Sequence, residues 1–302
     1  MDIGMVGLGR MGAGLTRRLL DDGHRVVAFD RSPAAVEAVA ADGAEPAASH
    51  REVRDKLEAP RTVWVMVPSG APTQEAIDGL AGLLEPGDVL IDGGNSNFHD
   101  SVARARALAE RGIAFLDVGT SGGVWGLTEG FCLMVGGTPA AFAQAEPAFR
   151  TLAPDGGCAH VGESGAGHYV KMVHNGIEYG LLQAYAEGFE ILHASDYHLD
   201  LGQVAEVWRH GSVVRSWLLD LTASAYAKDP ELAHFSGWVE DSGEGRWTVQ
   251  EALAKDVPAP VINLSLIMRL RSRVEDSYAG KLISALRNEF GGHPVHQVEV
   301  PR

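Results

Sequence analysis

Lys171, His174, Asn175 and Glu178 are the residues of this chain whose types and spacing point most directly to chemistry. They fall at i, i+3, i+4 and i+7 within GAGHYVKMVHNGIEYGLLQAY, residues 165–185, so a helix carries all four on one face. Val170, Val173, Ile177, Leu181 and Leu182 fill the remaining directions, which predicts a buried helix packed on several sides with one polar stripe. Lys and Glu are seldom buried without a reason. Two readings of the stripe stand: an ion pair closing a domain junction, or the wall of a cleft that uses titratable groups.

The elements that must position this stripe begin at the N-terminus. Residues 2–29 read as strand, Gly-rich turn, helix, strand. The turn Gly7-Leu8-Gly9-Arg10-Met11-Gly12 gives G-x-G-x-x-G directly after an apolar strand, and Asp30 closes the second strand. Such glycines let backbone approach a pyrophosphate, and the helix N-terminus supplies N–H groups and a positive dipole end. A carboxylate at Asp30 accepts from the ribose hydroxyls and repels a 2′-phosphate, which favours NAD over NADP. The neighbouring Arg31 could stack on adenine or bind that phosphate.

Further strands are expected at 62–67, 89–92, 113–118, 131–135 and 158–161, and helices at 33–41, 72–83, 98–111 and 139–152. This alternation predicts an α/β fold: a doubly wound, Rossmann-type dinucleotide-binding domain over residues 1–163. Two Gly-rich loops are expected at strand ends, Asp92-Gly93-Gly94-Asn95-Ser96 and Gly119-Thr120-Ser121-Gly122-Gly123, where ligands of open sheets sit; plain tight turns are the alternative. After the long linking helix the strand signals stop. Segments 200–227, 247–256, 259–272 and 274–290 are helix-like, so residues 164–302 read as an all-α second domain, with an exposed loop from Phe235 to Arg246. Arg269, Arg271, Arg273 and Arg287 supply guanidinium groups suited to a phosphate or carboxylate, although an Arg-bearing helix is more commonly a solvated face.

Composition narrows the partners. The chain has 302 residues, 45% of them apolar and 22% charged, and a net charge of -15, which argues against nucleic acid or an anionic membrane surface. Cys132 and Cys158 lack CxxC spacing, the start runs almost directly into a strand, and no apolar run is long enough to span a bilayer; a cytoplasmic protein is expected. The histidines form no HExxH-like constellation, so no metal site is expected.

Taken together, these motifs resemble the 6-phosphogluconate dehydrogenase family of the β-hydroxyacid dehydrogenase superfamily. GHYVKMVHNGIEYG is similar to the family's catalytic-helix signature, which implies Lys171 as general base and Glu178 as general acid. Asp92-Gly-Gly-Asn95-Ser96 and Ser121-Gly122-Gly123 match its substrate loops, with Asn95 also at the cofactor. Gly243-Glu244-Gly245-Arg246-Trp247-Thr248 is similar to its G-x-G-K-W-T. Arg287-Asn-Glu-Phe290-Gly291-Gly-His293 matches its R-x-x-F-G-x-H tail, and Arg269 falls at another phosphate-binding position. His174 and Asn175 lie between Lys171 and Glu178 on the same face and could hold the substrate's hydroxyls or the nicotinamide side, and the resemblance further implies Tyr179 as a phosphate contact and Val67 and Pro68 as cofactor contacts.

Departures from the family pattern are informative. The segment between Arg269 and Arg287 is short, as in a short bacterial-type subfamily that lacks one helical repeat. Ser242 replaces a phosphate-contacting Lys, and Val124 and Trp125 replace a Glu pair. Asp30 for Asn, Gly9 for Ala and Pro68 for Lys all point to NAD rather than NADP.

The implied reaction is oxidation of 6-phosphogluconate at C3, loss of carbon dioxide, and protonation to ribulose 5-phosphate. Lys171 must be neutral to take the 3-hydroxyl proton, and burial with nearby cations would lower its pKa from about 10.4. A tail that reaches a neighbouring subunit in the family implies a homodimer or a dimer of dimers. The rival enzymatic reading is another β-hydroxyacid dehydrogenase acting on a small unphosphorylated 3-hydroxy acid. A non-catalytic NAD-binding protein is the rival from outside enzymology.

Overall fold

The computed structural model describes residues 1–291 together with 294 and 296. In chain order the first part contains β1 (Asp2–Val6), α1 (Arg10–Asp21), β2 (Arg25–Phe29), α2 (Pro33–Ala41), β3 (Glu45–Pro46), α3 (His50–Asp55), β4 (Thr62–Val65), α4 (Ala71–Ala81), β5 (Val89–Asp92), α5 (Phe98–Ala109) and β6 (Ala114–Ser121). A 3-10 turn (Gly123–Trp125) leads to α6 (Gly126–Glu129), β7 (Cys132–Gly137), α7 (Pro139–Leu152) and β8 (Cys158–Gly162). The strands form one eight-stranded sheet in the order β3-β2-β1-β4-β5-β6-β7-β8. Every pairing is parallel except β6 with β7.

Alternation along the strands builds a core on each face, as expected for a sheet covered on both sides. Ile3, Met5, Trp64 and Ile91 turn to one face, where Leu15 and Leu19 of α1 and Phe149 of α7 cover them. Val6, Val63, Val65 and Leu90 turn to the other, against Val53, Ile77, Leu80 and Leu108 of α3, α4 and α5. The strand order reverses between β1 and β4, and the crevice outside the carboxyl ends at such a reversal is where open sheets bind ligands.

Three short elements, β3, α3 and α6, were not expected from periodicity, being too short to show one. A correction concerns residues 119–121. They are not a loop but the end of β6, which runs on to Ser121 because the reversed β7 pairs with it from Leu116↔Gly137 to Ser121↔Cys132.

Helix α8 (Ala166–His193) follows, and the chain divides into two compact units inside it, Met1–Gly176 and Ile177–Arg302. The second unit is helical: the rest of α8, then α9 (Leu201–Arg209), α10 (Trp217–Lys228), α11 (Glu244–Ala254), α12 (Pro260–Arg271) and α13 (Tyr278–Gly291). The expected helix over 200–227 is two helices, because Gly211 takes a positive φ of 80° and Ser216 caps α10 by accepting from Leu219 N. Phe189, Ala205, Leu219, Ala223 and Tyr226 form its small core. The loop from Phe235 is exposed as expected, but its last residues, from Glu244, already belong to α11.

Helix α8 is not buried on several sides as its sequence suggested. Val170, Ile177, Leu181 and Leu182 are all more than a third exposed in the single chain. Among the described residues no helix is long and apolar enough to cross a membrane.

Candidate active site

The nucleotide end is built from the Gly-rich turn upward, and its three glycines do different work. Gly7 has φ 95° and sits so close to β4 that a Cβ would lie 2.4 Å from Met66 O. A Cβ on Gly12 would lie 2.0 Å from Gly7 O, so only glycine lets α1 start against the turn. Gly9 faces open space, with nothing within 4 Å of a Cβ placed there. Helix α1 begins beside it with no side-chain cap and no acidic residue in its first turn, leaving N–H groups for an anion.

Asp30 fastens this turn to the end of β2: Oδ2 accepts from Leu8 N and Oδ1 from Ser32 N, both at 2.7 Å. Each oxygen keeps a lone pair for a ribose hydroxyl. A cavity of about 380 Å³ is lined by Gly7, Gly9, Asp30, Arg31, Val67 and Pro68, with His50 also in its wall. Burial lowers the pKa of His50 below the ordinary histidine value. Leu8 is buried, Arg10 exposed and Met11 half-buried at the head of α1. The bare Gly9 and the uncapped helix end fit the pyrophosphate of a dinucleotide, and the anchored carboxylate fits a ribose hydroxyl.

The Asp92–Ser96 loop is held from below. The buried Asp92 carboxylate accepts from Gly94 N at 3.0 Å, Ser96 Oγ at 2.7 Å and Arg104 Nη1 at 3.0 Å, and Arg104 is itself buried. Asn95, at the tip with φ 51°, exchanges two hydrogen bonds with the Thr120 backbone: its Nδ2 donates to Thr120 O at 3.1 Å and its Oδ1 accepts from Thr120 N at 3.0 Å. Both substrate loops expected from sequence are thereby joined.

The front of α8 lies against the second of them. Lys171, only 6% exposed, donates from Nζ to Asn175 Oδ1 at 2.6 Å, and His174 Nδ1 stands 3.5 Å from the same nitrogen and 2.9 Å from Asn175 Oδ1. Ser121 Oγ lies 3.5 Å from His174 Nε2. Gly122 (φ 130°) and Gly123 (φ 52°) turn the chain directly after it. Within the first unit the structure therefore groups Lys171, His174 and Asn175 around one buried amine, with Ser121 reaching the group through His174 and Asn95 bonded to the neighbouring Thr120 backbone.

Asp117 and the glycines facing α8 escaped sequence reasoning. The fully buried Asp117 carboxylate accepts from Gly165 N at 2.6 Å and His168 N at 2.9 Å, taking the place of an N-cap side chain that Gly165 cannot supply. A Cβ on Gly119 would lie 2.4 Å from Lys171 Cβ, and one on Gly167 would lie 2.2 Å from Asp117 O. The available signal was a lone acid inside the apolar strand FLDVG.

In the second unit, Tyr179 is buried and the Arg269 guanidinium stacks 3.4 Å from its ring centroid. Tyr179 OH lies 3.4 Å from Ser242 Oγ, and Arg269 Nη1 donates to Glu240 O at 2.9 Å. Gly245 makes room for the ring, since a Cβ there would lie 2.3 Å from Tyr179 Cε2. Glu178 is half-buried on α8 just before Tyr179. Arg287 is exposed on α13, and His293 lies outside the described residues.

Residues 2–162 match the model for the NAD binding domain of 6-phosphogluconate dehydrogenase, and residues 167–281 match that for the 6-phosphogluconate dehydrogenase C-terminal domain. A Haloferax volcanii protein named NAD(+)-dependent, decarboxylating 6-phosphogluconate dehydrogenase is 48% identical over 298 residues, covering 98% of each chain. Among solved structures, the Plasmodium falciparum 6-phosphogluconate dehydrogenase superposes with a TM-score of 0.83 at 27% identity over 96% of this chain and 65% of its own. A Salmonella typhimurium 3-hydroxyisobutyrate dehydrogenase follows the same fold, with a TM-score of 0.75 and 25% identity over 90% of this chain and 93% of its own.

Proposed function

This chain belongs to the 6-phosphogluconate dehydrogenase family, and from that membership we propose that it converts 6-phosphogluconate to ribulose 5-phosphate and carbon dioxide with reduction of NAD. The observation that carries the chemistry is Lys171, a buried amine at 2.6 Å from Asn175 Oδ1 beside the loops that end β5 and β6. Bound NAD supplies the hydride acceptor. Lys171 takes the proton of the 3-hydroxyl group, then as an ammonium hydrogen-bonds the new carbonyl oxygen and steadies the enolate left as carbon dioxide departs. That charge does the work for which other decarboxylases use a metal, so metal independence is part of the proposal.

Glu178 delivers the proton to the carbon that has lost the carboxylate, C2 of 6-phosphogluconate, which becomes C1 of ribulose 5-phosphate. Seven residues along the same helix separate it from Lys171 by about 10 Å of axial rise, enough for two jobs on one sugar acid. Asn95, Ser121, Gly122, Gly123, His174 and Asn175 are assigned to the substrate's hydroxyl and carboxylate groups. Tyr179 and Arg269 are assigned to its phosphate with Arg287 and His293, and Ser242 is a neutral neighbour in place of lysine. Residues 1–163 are assigned as the cofactor-binding domain, which also lends Asn95, Ser121, Gly122 and Gly123 to the substrate, and residues 164–302 as the linking helix and all-α domain for substrate binding and subunit pairing.

Preference for NAD rests on Asp30, whose carboxylate is fixed by Leu8 N and Ser32 N. Asp30→Asn is expected to improve the NADP-to-NAD ratio of kcat/KM about tenfold, by removing a charge that opposes the 2′-phosphate; an unchanged ratio would contradict this role. Homodimerisation is supported by apolar stripes left exposed on Ile177 and Leu181 of α8 and on Val261, Leu264 and Met268 of α12. A cytoplasmic location belongs to the same reading.

The test is steady-state reduction of NAD with 6-phosphogluconate set beside unphosphorylated 3-hydroxy acids such as 3-hydroxyisobutyrate. A kcat/KM at least about 100-fold higher for the phosphorylated acid is expected from a site that pairs guanidinium with phosphate. Comparable or better turnover of the small acids would move the protein to the other branch of the superfamily.

A further inference from the structure

Three residues of β6 alternate onto the face that meets α8, and each meets a different turn of the helix. Asp117 holds Gly165 N and His168 N, Gly119 lies under Lys171, and Ser121 reaches His174. The spacings agree. Asp117 to Ser121 spans about 13 Å at ~3.3 Å per strand residue, and Gly165 to His174 spans about 13.5 Å at ~1.5 Å per helix residue. Strand and helix therefore stay in step over the whole contact.

Two of these contacts admit little variation. The Asp117 carboxylate is fully buried and fixes the height of the helix along the strand through charge-assisted bonds at 2.6 and 2.9 Å. Gly119 fixes the separation, because a methyl group there would stand 2.4 Å from Lys171 Cβ and 2.8 Å from Gly167 O. Gly136 on β7 adds to the notch, since a Cβ there would lie 2.6 Å from Gly167 N. Neither Asp117 nor Gly119 needs to touch substrate for this.

We propose that Asp117 and Gly119 are positioning residues for Lys171: the carboxylate clamp and the adjacent notch set where the amine stands along and above β6, and hence how well it meets the proton it removes. This deepens the function proposed above and rests on Lys171 as the base. Misplacement by about 1 Å of a group that must meet a reacting atom can cost ~100-fold in rate, whereas the nucleotide turn lies on other strands.

Gly119→Ala and Asp117→Asn test the proposal. For Gly119→Ala, kcat with NAD and 6-phosphogluconate is expected to fall about 100-fold, with the dissociation constant for NAD alone and the substrate KM within about threefold. Asp117→Asn keeps one acceptor oxygen and is expected to lower kcat about tenfold with the same split. In both, the isotope effect with substrate deuterated at C3 should rise as the chemical step becomes rate-limiting. An unaltered kcat in both variants would overturn the proposal. So would losses of NAD affinity and melting temperature in step with kcat at an unchanged isotope effect, which would make these residues structural only. If Gly119→Ala does not fold, Asp117→Asn decides by the same measurements. Wild-type turnover reports on the proposed function, and the variant-to-wild-type ratio on the mount.

Discussion

From Gly165 to Asn175 the chain lies on β6 with its N–H groups capped by a buried carboxylate, its backbone let in by Gly119 and Gly167, and its amine bonded to Asn175. From Ile177 onward the same helix shows Ile177, Leu181, Leu182 and Ile191 to solvent. The front half is finished by the chain itself, through polar contacts whose geometry is fixed. The back half keeps an apolar stripe that a monomer gains nothing by exposing, which is how a helix looks when its packing is completed by another chain. One helix thus carries a lysine mounted by its own unit and, further on, a surface that we assign to subunit pairing.

Removing the amine is the hardest test of that contrast. Lys171→Met is expected to lower kcat by about 1000-fold or more while leaving NAD affinity intact, because a positioned base contributes ~10²–10⁴ to the rate. Unchanged turnover would remove the front half's assigned chemistry. Next in size is the support beneath Asn95. Arg104→Leu strands the buried Asp92 carboxylate, now 3.0 Å from Arg104 Nη1, and should cost about 3–5 kcal/mol in denaturant unfolding. A loss below ~1 kcal/mol would show that the pair does not hold the loop.

The back half is tested by charge. Leu181→Asp is expected to weaken self-association at least about tenfold in sedimentation, from the lost apolar burial alone. Monomer stability should shift by no more than ~0.5 kcal/mol, as for an exposed site. Wild-type monomer with full activity would contradict the assignment of this surface.

The smallest effect concerns pH in the second unit. Burial pushes the Asp241 carboxyl group up, but Arg246 Nη2 at 2.6 Å and Gly243 N at 3.1 Å outweigh it, and its pKa ends below the ordinary value of 3.8. A carboxylate with a depressed folded pKa adds stability that is present above the unfolded pKa and lost as pH falls through the folded one. Asp241→Asn should therefore flatten the loss of stability below about pH 4 and leave its shape near neutrality unchanged. An acid limb identical to wild type would rule out this contribution.

Much of the first unit was legible in sequence because its signals are local. Strand, turn and helix from Asp2 to Asp30 follow from period and glycine placement, and β5 and α7 fall where their apolar patterns place them. The reversal of β7 was not legible, since no local residue states the direction of a neighbour. Gly119 read as a turn glycine, although its reason is a helix more than forty residues on. Asp117 was passed over because its partners, Gly165 N and His168 N, belong to backbone, which leaves no complementary side chain to notice. The stripe of Lys171, His174 and Asn175 was read correctly as one face, but Val170, Ile177, Leu181 and Leu182 around it were taken for core when they are exposed. Helical periodicity reports that a face is apolar, not which molecule covers it.

The most direct test of the central reading is the stoichiometry of one reaction: 6-phosphogluconate with NAD in chelator-treated buffer, following reduced nicotinamide by absorbance while trapping carbon dioxide. One carbon dioxide released for each NAD reduced, undiminished by the chelator, is the predicted result. Reduction of NAD without carbon dioxide, or no reduction at all, would contradict it.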